Sequence, residues 1–186
     1  MKINRRQGSN LIFLTVLALL LFTPAGTYVK VWVNRLLAFS PSVTAAENRT
    51  ILKDYRWELR SPEGKRFDLT EAEGEVILIN FWATWCPPCI AELPGLQKLY
   101  NDYKNKAVFI FVSDERSDVI KGFMAKNGYE LPVFYPLGNA PEALVSKSIP
   151  ATYVVDKKGA IVIAKTGAAD WNSKKVRRLM DELLSE

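Results

Sequence analysis

Residues 76–89 constrain this chain more than any other stretch. Val76-Ile-Leu-Ile-Asn-Phe-Trp82 is apolar at every position but Asn80, and after three more residues comes Cys86-Pro-Pro-Cys89. A run of that length, with several β-branched residues, reads as a strand buried on both faces, as in a parallel sheet covered by helices. Beyond Cys89 the period changes. Ile90, Leu93, Leu96, Leu99 and Tyr100 share one side of a helix that continues to about Lys104. Cys86 thus sits where a buried strand hands over to a helix N-terminus, and the free N–H groups and dipole there favour thiolate over thiol. A thiolate at that place attacks a substrate disulfide, and Cys89, one turn further in, resolves the mixed disulfide.

The rest of the chain supplies the partners such a strand needs. Tyr55–Leu59 and Arg66–Leu69 alternate polar and apolar around Ser61-Pro-Glu-Gly64, which predicts a hairpin. Ala107–Val112 predicts a second buried strand, and Ser117–Lys126 a helix that ends at Asn127-Gly128. Val133–Tyr135 is a short apolar piece and Pro141–Lys147 a short helix. Thr152–Val155 and Ala160–Ala164 flank Asp156-Lys-Lys-Gly159, a second hairpin, and a last helix runs from about Asn172 to Leu184. The order is hairpin, β-α-β-α, then β-β-α. It predicts an α/β fold with parallel strands joined by a crossover helix and an antiparallel edge from the final hairpin.

The amino-acid inventory excludes much other chemistry. There are two cysteines and no histidine. A tetrahedral metal site needs four ligands, and a Ser-His-Asp or Cys-His pair needs an imidazole. No metal site within the chain is expected. The net charge of +5 is not a nucleic-acid signature either. Residues 1–50 carry Lys2, Arg5, Arg6, Lys30, Arg35 and Arg49 against Glu47 alone, so residues 51–186 hold 19 basic and 19 acidic side chains.

The N-terminal segment has its own logic. Residues 11–29 are uncharged, with an unbroken apolar core at 11–22, long enough for a signal peptide and just long enough to span a bilayer. No good cleavage site follows soon after, since Thr23-Pro24-Ala25 is poor and Val43-Thr44-Ala45 is too distant. The expectation is an uncleaved signal anchor over 1–29, with a cleaved signal as the second reading. A tether follows over 30–50, whose Trp32 suits a membrane interface, and then a folded domain over 51–186. Lys2, Arg5 and Arg6 bias the N-terminus inward, which places the domain outside the cytoplasmic membrane.

Phe81-Trp-Ala-Thr-Trp-Cys-Pro-Pro-Cys89 resembles the active-site segment of thioredoxins. With the preceding hairpin and the N-terminal segment it is most similar to the TlpA/ResA-type tethered thiol–disulfide oxidoreductases of bacteria, over about residues 51–184. The resemblance implies a thioredoxin fold, a central mixed sheet flanked by helices, with an N-terminal β-hairpin extension. It also implies action on protein disulfides or thiols outside the cytoplasmic membrane and no bound cofactor. Cytochrome c maturation, repair of misoxidised proteins and general envelope thiol homeostasis all fit, and a membrane protein is the expected electron donor. Residue by residue, Pro94 matches a proline inside the active-site helix, and Ile149-Pro-Ala-Thr152 matches the loop whose cis-proline faces the cysteines. Substrate would meet Trp85, Pro87, Ile149 and Pro150. Glu92 matches an acid near the site that exchanges a proton with Cys89, so the catalytic set is Cys86, Cys89 and Glu92. Thioredoxin proper has a buried acid six residues before its first cysteine, where this chain has Asn80.

Pro87 and Pro88 bring no N–H to a Cys86 thiolate, which favours a reductase over an oxidant. Two other readings fit part of the pattern. A thiol peroxidase of this fold would want Thr where Ala83 stands, and a binding module would use the cysteines as an inert structural disulfide.

Overall fold

The computed structural model describes residues 10, 13–15 and 24–186. Most of the expected signal anchor therefore lies outside the described residues, and among those described no helix is long and apolar enough to cross a membrane.

Seven strands form one mixed sheet: β1 (Glu58–Arg60), β2 (Arg66–Asp68), β3 (Ile77–Phe81), β4 (Val108–Val112), β5 (Val133–Pro136), β6 (Ala151–Val155) and β7 (Ile161–Thr166). Their spatial order is β2-β1-β5-β4-β3-β6-β7. The pairs β3–β4 and β4–β5 are parallel and all others antiparallel. The helices with described bounds are α1 (Pro24–Leu36), α2 (Pro87–Tyr103), α3 (Ser117–Asn127) and α4 (Lys174–Ser185). The chain steps from β3 to β4 to β5 in one direction across the sheet. Right-handed crossovers then put α2 and α3 on the same face. Their apolar positions accordingly share one core with α4, around Leu78, Leu93, Phe111, Ile120 and Met180.

Successive residues of a strand face opposite ways, so β3 feeds two cores. Leu78 enters the helical one, while Ile77 and Ile79 enter a second with Trp57, Leu59, Leu69 and Leu144. Leu52 and Tyr55, with single 3₁₀ turns at Leu69–Ala72 and Glu142–Leu144, cover that second core. The helix expected over Pro141–Lys147 is only the latter turn. The final hairpin is less peripheral than expected, because β6 lies inside the sheet between β3 and β7. The first hairpin joins the opposite edge through β1 and β5.

The stretch read as a tether makes contact with the domain. α1 crosses the 29/30 division and packs against α2. The Asp170 N–H donates to the Phe39 carbonyl at 3.0 Å and the Thr44 N–H to the Val162 carbonyl at 2.9 Å. Ile51 bridges to Ala160, and Gly159 closes the turn beside them at φ +81°. A Cβ on Gly159 would stand 2.9 Å from the Tyr55 hydroxyl and 3.0 Å from the Leu52 carbonyl oxygen. Gly159→Ala should therefore destabilise the domain by about 2 kcal/mol, from backbone strain plus contact. An unchanged urea midpoint would contradict this reading of the turn.

Candidate active site

The register of three strands assembles the site at one end of the sheet. Phe81, the last residue of β3, pairs with Val112 at the end of β4 and with Ala151 at the start of β6. The loop carrying Cys86, the loop after β4 and the residue before β6 are thereby neighbours. The carboxyl ends of parallel strands are the usual place for a site in such a sheet.

Cys86 is the N-cap of α2, with Pro87 and Pro88 opening the helix. It is disulfide-bonded to Cys89, their Cα atoms 5.2 Å apart. Three residues is the separation at which a helix start brings two cysteines within disulfide reach. Cys86 is 4% exposed and Cys89 wholly buried, so only Cys86 offers any surface to a partner. The Cys89 N–H reaches the Cys86 sulfur at 3.3 Å. It is the first N–H of the helix beyond the two prolines. Trp85 beside them is 68% exposed, Pro87 is half-buried, and Pro94 lies inside α2. On the far side of the sheet end the Ile149–Pro150 bond is cis, with Ile149 half-buried and Pro150 buried.

Glu92 is only 3% exposed, one turn further along α2 than Cys89. Its Oε1 accepts from the Asn80 amide at 2.8 Å, and its Oε2 from the Trp171 indole at 2.9 Å and the Ala169 N–H at 3.3 Å. Asn80 donates also to the Thr152 hydroxyl at 2.7 Å, its register partner across β3 and β6. Burial pushes the Glu92 carboxyl from its ordinary 4.5 up to about 7, against the pull of the Trp171, Asn80 and Ala169 donors and the Lys165 charge. The Asn80 Oδ1 is buried without a partner in the described structure. Turning that amide over would present Oδ1 to a protonated Glu92, so one pair serves both protonation states. Asn80 stands where thioredoxin has its acid. Here the buried acid has moved to the helix, and the strand holds its partner.

Three residues of the site escaped the sequence reading: Trp171, Thr84 and Glu115. The Glu115 carboxylate accepts from the Thr84 N–H at 2.6 Å and from its hydroxyl at 2.7 Å. Glu115 had one usable signal, a polar run just past a buried parallel strand. Trp171 had none, since its burial comes from how the β7–α4 loop closes over α2.

A mixed sheet with a cysteine pair at the first turn of the helix after a central strand defines a thioredoxin-family protein, TlpA/ResA-like in its details. The chain belongs to the AhpC/TSA family, whose profile matches residues 52–164. It is 34% identical over 112 residues to the thiol-disulfide oxidoreductase ResA of Halalkalibacterium halodurans, covering 59% of this chain and 64% of that protein. It is 32% identical over 109 residues to the thioredoxin-like protein YneN of Bacillus subtilis, covering 56% and 64%. The matches thus span a little under two thirds of these relatives. A secreted thiol-disulfide isomerase of Corynebacterium glutamicum shares the fold, with a TM-score of 0.57 at 22% identity over 78% of this chain and 92% of that one.

The raised pKa of Glu92 makes stability pH-dependent in a definite direction. Between its unfolded value of 4.5 and its folded value of about 7 the native state holds the extra proton. Stability from this group is therefore present below pH 4.5 and lost as pH climbs to 7, by about 3 kcal/mol at most. Glu92→Gln, a mimic of the protonated acid, should remove that decline. Urea unfolding of both proteins at pH 5 and pH 8 checks it; parallel pH dependences would refute it.

Proposed function

We propose that this protein is a thiol–disulfide oxidoreductase that reduces disulfides of other proteins. The observation that carries the reading is the Cys86–Cys89 disulfide at the first turn of α2, at the same sheet end as the cis Ile149–Pro150 bond. In the reduced protein the Cys86 thiolate attacks one sulfur of a substrate disulfide. That S–S bond breaks, a substrate thiolate leaves, and Cys86 holds the other sulfur in a mixed disulfide. Cys89 then loses its proton and attacks the Cys86 sulfur, which releases the second substrate thiolate. The Cys86–Cys89 bond forms, and two electrons have passed to the substrate. Glu92, with a pKa near neutrality and one turn away, is suited to receive the Cys89 proton and return it on re-reduction. Trp85, Pro87, Ile149 and Pro150 form the surface that meets the substrate chain. A backbone carbonyl or N–H flanking the substrate cysteine can pair there without regard to sequence.

The catalytic domain lies, in this proposal, outside a bacterial cytoplasmic membrane, held by a single-pass anchor over residues 1–29. Its electrons come from a dithiol protein in that membrane. The uncharged stretch 11–29 and the basic residues before it support this placement.

The trapping experiment follows from the order of attack. Cys89→Ser should accumulate covalent complexes with protein disulfides that dithiothreitol releases, and Cys86→Ser should form none. Adducts at Cys89 in the Cys86→Ser protein would reverse the assignment of nucleophile. The direction of electron flow is read from the reduction potential against glutathione. Two prolines withhold N–H donors from Cys86, so the value should fall below about −220 mV, toward the reducing end of the family range. A value above about −150 mV would make the protein a disulfide donor instead.

A further inference from the structure

The clamp between Glu115 and Thr84 is not used by the exchange steps above, yet it is built with more care than a surface contact. Thr84 lies three residues beyond the end of β3 and Glu115 three beyond the end of β4, and Phe81 and Val112, at those ends, are register partners. Parallel pairing therefore carries both residues to the same height above the sheet. The loop between β3 and α2 leaves its strand at Trp82, whose N–H still reaches the Val112 carbonyl. It closes with the Cys86 N–H on the Ala83 carbonyl at 3.3 Å. The Thr84 N–H points out of that turn. A backbone donor in a half-buried loop needs an acceptor, and the Glu115 carboxylate supplies it while taking the hydroxyl with its second oxygen. The Glu115 N–H is held in turn by the Ser113 hydroxyl at 3.4 Å, and the Ser113 N–H by the Phe134 carbonyl of β5 at 3.1 Å. Arg116 does not compete for the carboxylate, being engaged with Asp118 at 3.0 Å.

We propose that Glu115 is a positioning residue for the Cys86 nucleophile. It ties the loop that delivers Cys86 and Trp85 to the rigid ends of β4 and β5. The inference rests on the reading of Cys86 as the attacking sulfur. Two residues of chain span at most about 7 Å, so the clamp acts close to that sulfur. When the disulfide opens, the covalent restraint between Cys86 and Cys89 is gone. The clamp then keeps the sulfur over the Cys89 N–H and aimed outward for in-line attack. A shift of the order of 1 Å in such an alignment is enough to cost a large factor in rate.

The test uses the full chain in detergent, in a Cys89→Ser background so that one thiol is present. The rate of Cys86 alkylation by iodoacetamide is followed from pH 5 to pH 10, beside the rate of insulin disulfide reduction in the two-cysteine protein. Glu115→Ala should slow both about tenfold at neutral pH. Glu115→Gln keeps an acceptor for the N–H and lets the Thr84 hydroxyl accept from its amide, so it should stay within about threefold of the parent. Thr84→Ala should slow the parent, and should add nothing on top of Glu115→Ala, because the partner of its hydroxyl is already gone. A parental rate for Glu115→Ala, or a Glu115→Gln protein as slow as Glu115→Ala, overturns the proposal. If Glu115→Ala does not fold, Thr84→Ala decides alone: slower alkylation supports the clamp and an unchanged rate overturns it. A parent chain that alkylates at Cys86 but reduces no insulin refutes the proposed function, and the alkylation rates still decide the role of Glu115.

Discussion

The pairing of β3 with β4 on one side and β6 on the other is the constraint on which the rest of the structure depends. It buries both faces of β3, which its sequence, apolar but for Asn80, demands. It also decides what stands next to the cysteines. Because β4 runs parallel to β3, the loop that follows it rises at the same end and brings Glu115 to Thr84. Because β6 runs antiparallel, it is the start of that strand, the cis Ile149–Pro150 step, that arrives there.

The same pairing explains how a carboxyl group comes to be tolerated in the interior. Asn80 occupies the position of β3 that faces α2, and Thr152 lies across from it on β6. The Asn80 amide, the Trp171 indole and the Ala169 N–H surround Glu92 with donors, and the Thr152 hydroxyl accepts from the same Asn80 amide. Desolvation still outweighs those donors, and the result is an acid that changes protonation near neutral pH. A dithiol that must gain and lose protons as it gains and loses electrons has use for such a group one turn away. An arginine bonded to the carboxylate would favour its ionised form, and among the described residues its hydrogen-bond partners are Asn80, Ala169 and Trp171.

Much of this was readable beforehand where one physical signal dominated. The buried strands showed as apolar runs, α2 as a change of period at Cys89, and the final hairpin as Asp156-Lys-Lys-Gly159, where a backbone at φ +81° requires glycine. Short elements read less well. The helix expected over Pro141–Lys147 is a single turn of three residues, Glu142–Leu144. Residues 30–50 read as a tether from the sequence. The contacts of the segment before residue 50 with α2, Asp170 and Val162 come from distant parts of the chain, and no local pattern announces them.

The sequence by itself determined the chemistry available. With two cysteines, no histidine and a helix N-terminus after a buried strand, disulfide exchange was the reaction these residues could support. It also determined the period of each long element, because apolar spacing and backbone geometry are local properties. Only the tertiary structure decided which distant side chains meet. Glu92 could equally have been a solvated helix residue, Asn80 a lone polar residue in a core strand, and Glu115 one more charge in a loop. Their placement follows from burial and from strand register, which bring together residues 12, 31 and 79 positions apart. Long-range pairing is settled by the packing of the whole chain, and no short window of sequence contains it.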